Sequence, residues 1–313
     1  MPAAPVEARG LVKRYETVTA VAGVDLTVEA GDVYGYLGPN GAGKTTVLRI
    51  LLGLIRPTEG TARLFGRDPL VDGVSALQGV AGFVEAPRFY PYLTGRKNLE
   101  LLAALDGGDA HRRIDEALDV VELADRQTDR VGGYSHGMRQ RLGVAAALLR
   151  DPKLLLLDEP ATGLDPAGMR DMRALVARLS LSGTTVLLSS HLLAEVEELC
   201  NRVAIVRSGK MVFEGALADL KRTAGGSWRL RTTDDTRAMA VCLAQRGISG
   251  VHNDPLELRF DSTEEAAAEL SVALVESGLA IRALAPHTAT LEELFFRLTE
   301  DEPEQPAAHP EHA

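Results

Sequence analysis

The chain is poor in the features that would mark several protein classes. It has two cysteines in 313 residues, and Cys200 and Cys242 stand 42 positions apart without paired ligands nearby. Neither a disulfide framework nor a zinc cluster is suggested, and both read as ordinary reduced thiols. No apolar run approaches the roughly 18 residues that cross a bilayer. Gly143–Leu149 and Leu154–Leu157 are both cut off by charge almost at once. The opening MPAAPVEARG lacks a basic segment followed by an apolar one, so no export signal is expected and the chain is expected in the cytosol. Positive charge is also short: 34 Lys+Arg against 44 Asp+Glu give a net charge of −10. A broad nucleic-acid footprint, which needs a basic face, is therefore not expected.

What remains is an ordinary globular composition, 45% hydrophobic and 25% charged. The length suggests roughly two domains, since single cores rarely grow beyond about 250–300 residues. Charge divides unevenly: residues 1–220 carry a net −3 and residues 221–313 a net −7. A glycine-containing break, Lys221-Arg222-Thr223-Ala224-Gly225-Gly226-Ser227, fits a linker near that junction. Two domains are expected, at 1–220 and 226–300. Residues 301–313 contain three prolines and no aliphatic residue larger than alanine, and they read as a disordered acidic tail.

Within residues 1–220, short β-like runs at Val33–Leu37, Leu154–Leu157, Thr185–Ser189 and Val203–Arg207 alternate with helix-like segments. This pattern predicts an α/β layer structure with a mostly parallel sheet. Leu154–Leu157 and Val186–Leu188 are continuously apolar, as strands covered on both faces should be. Residues 226–300 predict the order β-α-β-β-α-β, with strands Trp228–Thr232, Gly250–His252, Leu256–Phe260 and Ala280–Leu284. Helices are expected at Asp235–Arg246, Thr263–Glu276 and Leu291–Leu298. That order fits a small α+β domain of ferredoxin-like layout.

The strand Val33–Leu37 is followed by Gly38-Pro39-Asn40-Gly41-Ala42-Gly43-Lys44-Thr45-Thr46 and then by a predicted helix, Val47–Leu54. Strand, glycine loop and helix stand in the order of a phosphate-binding loop. Glycines let backbone N–H groups curl around phosphate oxygens, and the helix N-terminus adds partial positive charge. Lys44 brings a point charge to the phosphates, and Thr45 offers a hydroxyl to Mg²⁺. The apolar strand Leu154–Leu157 ends in Asp158-Glu159, where Asp158 can hold the metal shell and Glu159 can orient or deprotonate an attacking water. After another apolar strand, Ser189-Ser190-His191 brings a histidine that can bridge the terminal phosphate and the water-bearing carboxylate.

With these residues, nearly all of residues 5–220 resembles an ATP-binding cassette (ABC) ATPase. The most specific piece is Tyr134-Ser135-His136-Gly137-Met138-Arg139-Gln140-Arg141, about twenty residues before Asp158. The family's signature there usually reads Leu-Ser-Gly-Gly-Gln, so Ser135 and Gly137 match while Tyr134, His136 and Met138 depart. The resemblance implies a P-loop cassette with a helical subdomain at about 86–150. It also implies ATP and Mg²⁺ as ligands and a head-to-tail dimer in which Ser135 and Gly137 meet the phosphate held by the opposite copy. By the same resemblance Tyr15 stacks on adenine, and Asp165, in Thr162-Gly163-Leu164-Asp165, aligns the partner's catalytic groups. Where the family usually has a glutamine that reaches metal and water, this chain has Glu85, which keeps an oxygen but loses the amide donor.

Glu85, with Phe89-Tyr90-Pro91-Tyr92-Leu93-Thr94-Gly95-Arg96-Lys97-Asn98-Leu99, resembles the bacitracin, lantibiotic and daunorubicin-type drug exporter ATPases, and the ending Leu291-Glu292-Glu293-Leu294-Phe295-Phe296-Arg297-Leu298-Thr299 resembles that of antibiotic and polysaccharide exporter ATPases with small C-terminal domains. This implies a peripheral ATPase at the cytoplasmic face of the membrane, driving an integral-membrane permease subunit as a homodimer or with a paralogous ATPase. Phe89, Tyr90 and Tyr92 are candidate docking aromatics. The competing readings are the ATPase of an importer, and a soluble cassette ATPase acting on nucleic acid or ribosomes.

Overall fold

The computed structural model describes residues 3–223, 226–254, 257–287 and 290–300. The expected acidic tail lies outside the described residues. The chain divides into two compact units, the first running to Ala216 and the second starting at Leu217.

In the first unit the order is β1 (Val6–Tyr15), β2 (Val18–Val28), β3 (Val33–Leu37), α1 (Lys44–Leu51), β4 (Glu59–Leu64), β5 (Val80–Phe83), α2 (Gly95–Asp106), α3 (Ile114–Val120) and α4 (His136–Leu148). There follow β6 (Leu154–Asp158), α5 (Pro166–Leu181), β7 (Thr185–Ser190), α6 (Leu193–Leu199), β8 (Arg202–Arg207) and β9 (Lys210–Ala216). The main sheet has the strand order β5-β6-β7-β3-β8-β9. It is parallel except at its edge, where β9 runs antiparallel to β8. Every residue of β3, β6 and β7 is buried, which explains their unbroken apolar runs.

A second sheet, β2-β1-β4, is wholly antiparallel. The mostly parallel reading of residues 1–220 thus describes the main sheet and omits this one. Both sheets share one core, in which Val24 and Leu26 of β2 join Leu48 and Leu51 of α1 and Leu154 and Leu156 of β6. Helices α2, α3 and α4 pack on one another, and α4 also packs on β5. In this first unit three helix starts carry a side-chain cap: Thr94 for α2, Ser135 for α4 and Asp165 for α5, each accepting a backbone N–H of the first turn.

The second unit contains α7 (Leu217–Thr223), β10 (Ser227–Thr232), α8 (Asp235–Ala244), β11 (Ile248–Asp254), β12 (Glu257–Ser262), α9 (Glu264–Glu276), β13 (Ile281–His287) and α10 (Leu291–Glu300). Its four strands form an antiparallel sheet in the order β11-β12-β10-β13. Between β10 and β13 this is the split βαβ, ferredoxin-like order read from the sequence. The core holds Leu230, Leu258 and Phe260 of the sheet against Ala238 and Cys242 of α8 and Ala267, Leu270 and Leu274 of α9. Cys200 and Cys242 are both buried and unbridged. Among the described residues, no helix is long and apolar enough to cross a membrane.

Candidate active site

The site forms where the carboxyl ends of β3, β6 and β7 lie side by side, the edge of an α/β sheet at which ligands gather. Leaving β3, the chain turns through residues 38–43 into α1. Gly43 adopts φ 93°, and a Cβ there would stand 2.1 Å from the Ala20 carbonyl oxygen, so this turn accepts glycine alone. No side chain caps α1, which leaves the N–H groups of its first turn for an anion. Lys44, only 5% exposed, folds back over the loop. Its Nζ donates to the carbonyls of Gly38 at 2.8 Å and Pro39 at 3.2 Å, and lies 3.1 Å from Glu159 Oε1.

Asp158 ends β6 almost wholly buried. Its Oδ2 accepts the Thr45 hydroxyl at 2.9 Å and the Glu85 backbone N–H at 3.3 Å, and its Oδ1 accepts the Ser189 hydroxyl at 2.5 Å. The Ser189 hydroxyl in turn accepts the Glu159 N–H at 3.0 Å. Strand β7 therefore holds both carboxylate residues at the end of β6. Glu159 takes a left-handed backbone, φ 49°, a conformation costing a non-glycine residue on the order of 1–3 kcal/mol and found disproportionately at functional sites. Its Oε2 is 2.8 Å from the Thr162 hydroxyl and 2.8 Å from His191 Nδ1. A carboxylate only accepts, so the ring donates from Nδ1. Burial pushes the Glu159 carboxyl up, but the Thr162 hydroxyl, the Lys44 charge and His191 outweigh it and hold the group below the usual glutamate range.

Lys44, Thr45, Asp158, Glu159 and His191 are thus brought into one hydrogen-bonded cluster. Pro39, Asn40 and Gly41 lie exposed on the loop, Gly38 and Ala42 are buried in it, and Thr46 sits half-buried in the first turn of α1. Glu85 is placed differently from a metal ligand. Its backbone N–H reaches Asp158, but its carboxylate pairs with Arg49 of α1. Tyr15, at the end of β1, is 43% exposed, with the Lys13 ammonium 4.9 Å from its ring centre. Ser135 and Asp165 serve as helix caps, and Gly137 lies in the first turn of α4. Two hydroxyls that hold Glu159, on Ser189 and Thr162, lie inside motifs read from the sequence but carry no role in that reading. The available signal for Ser189 is a hydroxyl residue directly after the apolar run Val186–Leu188, as Asp158 directly follows Leu154–Leu157.

Among the described residues no group of three His, Cys, Asp or Glu could hold a metal ion. The pair Thr45 Oγ1 and Asp158 Oδ2 instead suits Mg²⁺, which takes few protein oxygens and completes its shell with water and phosphate.

A family model for ABC transporters matches residues 21–162. The bacitracin transport ATP-binding protein of Bacillus licheniformis is 36% identical over 296 residues, covering 94% of this chain and 96% of that protein. The daunorubicin/doxorubicin resistance ATP-binding protein of Streptomyces peucetius is 38% identical over 312 residues, covering 95% of this chain and 93% of its own length. A solved ATP-binding subunit of an ABC transporter superposes with a TM-score of 0.62 at 29% identity, over 70% of this chain and 92% of that one. The chain belongs to the ABC transporter family and is one of its ATP-binding, ATP-hydrolysing subunits.

Proposed function

We propose that this chain powers an exporter that expels an antibiotic-like or other amphipathic compound through a separate integral-membrane subunit, from the cytoplasmic face of the membrane. Support for the substrate class comes from the relatives, one named for bacitracin transport and one for daunorubicin and doxorubicin resistance. In this reading Lys44 and the loop 38–46 grip the phosphates of ATP, and Thr45 and Asp158 hold Mg²⁺. Bound there, the ion neutralises phosphate charge. Glu159 accepts a proton from the attacking water, and His191, fixed through Nδ1, keeps the carboxylate aimed. Tyr15 contacts adenine. Ser135, Gly137 and Asp165 act on the site of a second copy, or of a paralogous ATPase, in a head-to-tail dimer. Glu85 acts mainly through its backbone N–H on Asp158. All these residues lie in the first unit, which we assign as the nucleotide-binding domain.

The observation that carries the reading is Glu159 itself: a carboxylate held in a left-handed turn beside Lys44, Thr162 and His191, adjacent to the Asp158–Thr45 pair. General-base removal typically costs about 10²–10⁴ in rate. Glu159→Gln should therefore lower ATP turnover at least about a hundredfold while ATP binding persists and the dimer stays closed. Normal turnover would remove Glu159 from this role. The transported class is tested by purifying the chain with its membrane partner and asking which compounds stimulate turnover.

A further inference from the structure

His136 stands where the family's signature usually has its first glycine, and its ring turns toward the loop that follows Glu159. The ring Nε2 stands 3.1 Å from the Thr162 carbonyl oxygen. A carbonyl only accepts, so Nε2 carries a proton and donates it. Thr162 is bound to Glu159 at the same time: its hydroxyl donates to Glu159 Oε2 at 2.8 Å, and its N–H to the Glu159 carbonyl at 3.2 Å. One threonine therefore holds the imidazole with its carbonyl and the carboxylate with its hydroxyl. The next residue lies against the ring. Gly163 has φ 76°, and a Cβ there would lie 3.5 Å from His136 Nε2. Just beyond, Leu164 Cδ2 would stand 3.7 Å from a Cβ at Gly137. The start of α4 and the loop 159–165 thus pack as one surface.

We propose that His136 is a positioning residue for hydrolysis by its own chain: it fixes the Thr162 carbonyl, which aims the Thr162 hydroxyl at Glu159 and keeps that carboxylate in register with His191 and Lys44. The inference rests on Glu159 being the base. It differs from a contact with nucleotide on a partner copy, because such a contact would act on ATP affinity, whereas aiming the carboxylate acts on the chemical step.

Steady-state ATP turnover of the full chain separates the two. His136→Leu removes the donor, His136→Asn retains an amide N–H, Thr162→Val removes the hydroxyl and leaves the carbonyl, and Thr162→Ser keeps both. His136→Leu should lower kcat roughly three- to tenfold, as expected for one lost hydrogen bond, with KM for ATP changed less than about twofold. His136→Asn should recover most of the loss, and Thr162→Ser should turn over near the normal rate. In the double variant His136→Leu/Thr162→Val the losses should not multiply, since both cut the same connection. Multiplying losses, or an effect of His136→Leu on KM alone, overturns the proposal and leaves the assignment of Glu159 standing. Normal turnover by Glu159→Gln overturns both.

Discussion

Replacing Ser189 with alanine tests how the two carboxylates at the end of β6 are held. The Ser189 side chain is completely buried and joins Asp158 Oδ1 at 2.5 Å to the Glu159 N–H at 3.0 Å. Its loss leaves Asp158 with the Thr45 hydroxyl and the Glu85 N–H, and leaves the Glu159 N–H with the Ser189 carbonyl at 3.2 Å. A hydrogen bond to a charged group is worth about 1.5–3 kcal/mol, against about 0.5–1.5 for a neutral one. In a unit of this size each kcal/mol lowers Tm by roughly 2–4 °C, so Ser189→Ala should melt about 3–12 °C lower. Ser190→Ala is the control. That hydroxyl is also buried but accepts only the neutral Leu192 N–H, at 2.9 Å, so its removal should cost about 1–6 °C. Scanning calorimetry of both variants at neutral pH measures the difference. Equal shifts, or no shift for Ser189→Ala, would mean that Asp158 is not anchored by β7.

Gly43→Ala should abolish ATP binding, because its Cβ would lie 2.1 Å from the Ala20 carbonyl; equilibrium binding with a fluorescent ATP analogue checks this, and near-normal affinity would refute the turn geometry. In the second unit, burial would raise the Glu293 carboxyl, but Arg259, the Thr290 N–H and His287 hold it down at about 2. A folded value below the ordinary one of about 4.3 stabilises the fold above that pH and is lost as pH falls toward 2, so unfolding of this unit, read from Trp228, should ease across that window and less so in Glu293→Gln. Lys44→Met removes a cation 3.1 Å from Glu159 Oε1 and should move the Glu159 titration upward in carboxyl-carbon NMR; an unchanged midpoint would deny the pairing.

The central strands were legible because burial on both faces leaves Leu154–Leu157 and Val186–Leu188 no reason to alternate. Helix α1 was expected from Val47 but begins at Lys44, since the residues that serve the phosphate site already belong to its first turn. The antiparallel sheet is masked in the sequence for a different reason. In β1, VEARGLVKRY, register shifts between Ala8 and Leu11 and again at Val12 interrupt the period of two, and charged residues occupy the outer face. The turn into β9 did carry a signal: Ser208 and Gly209 have φ 49° and 77°, the left-handed pair of a two-residue hairpin. At the candidate site, the motifs point to charged residues that the fold gathers but not to their partners. Nothing local to Glu85 announces that Arg49, 36 positions away, takes its carboxylate, or that Ser189 joins Asp158 to the Glu159 backbone.

Those long-range partners bear on how the site changes when substrate enters. An ammonium has three donors, and Lys44 has three acceptors within the chain: the Gly38 and Pro39 carbonyls and Glu159 Oε1. A phosphate drawn to Lys44 therefore competes with one of them. The carbonyls belong to the loop that must cradle the phosphate, so the carboxylate is the partner that can be exchanged, one anion for another. Glu159 would then lose a cation that helps keep its carboxyl below the usual range, and its affinity for a proton would rise as the phosphate arrives. Its backbone need not move. The Glu159 N–H is fixed by the Ser189 hydroxyl and carbonyl, and its carbonyl by the Thr162 N–H. With Glu159 as the proposed base, a pinned main chain carrying a side chain that exchanges partners would let phosphate occupancy set the strength of that base, and would couple the strained turn at Glu159 to the cation at Lys44.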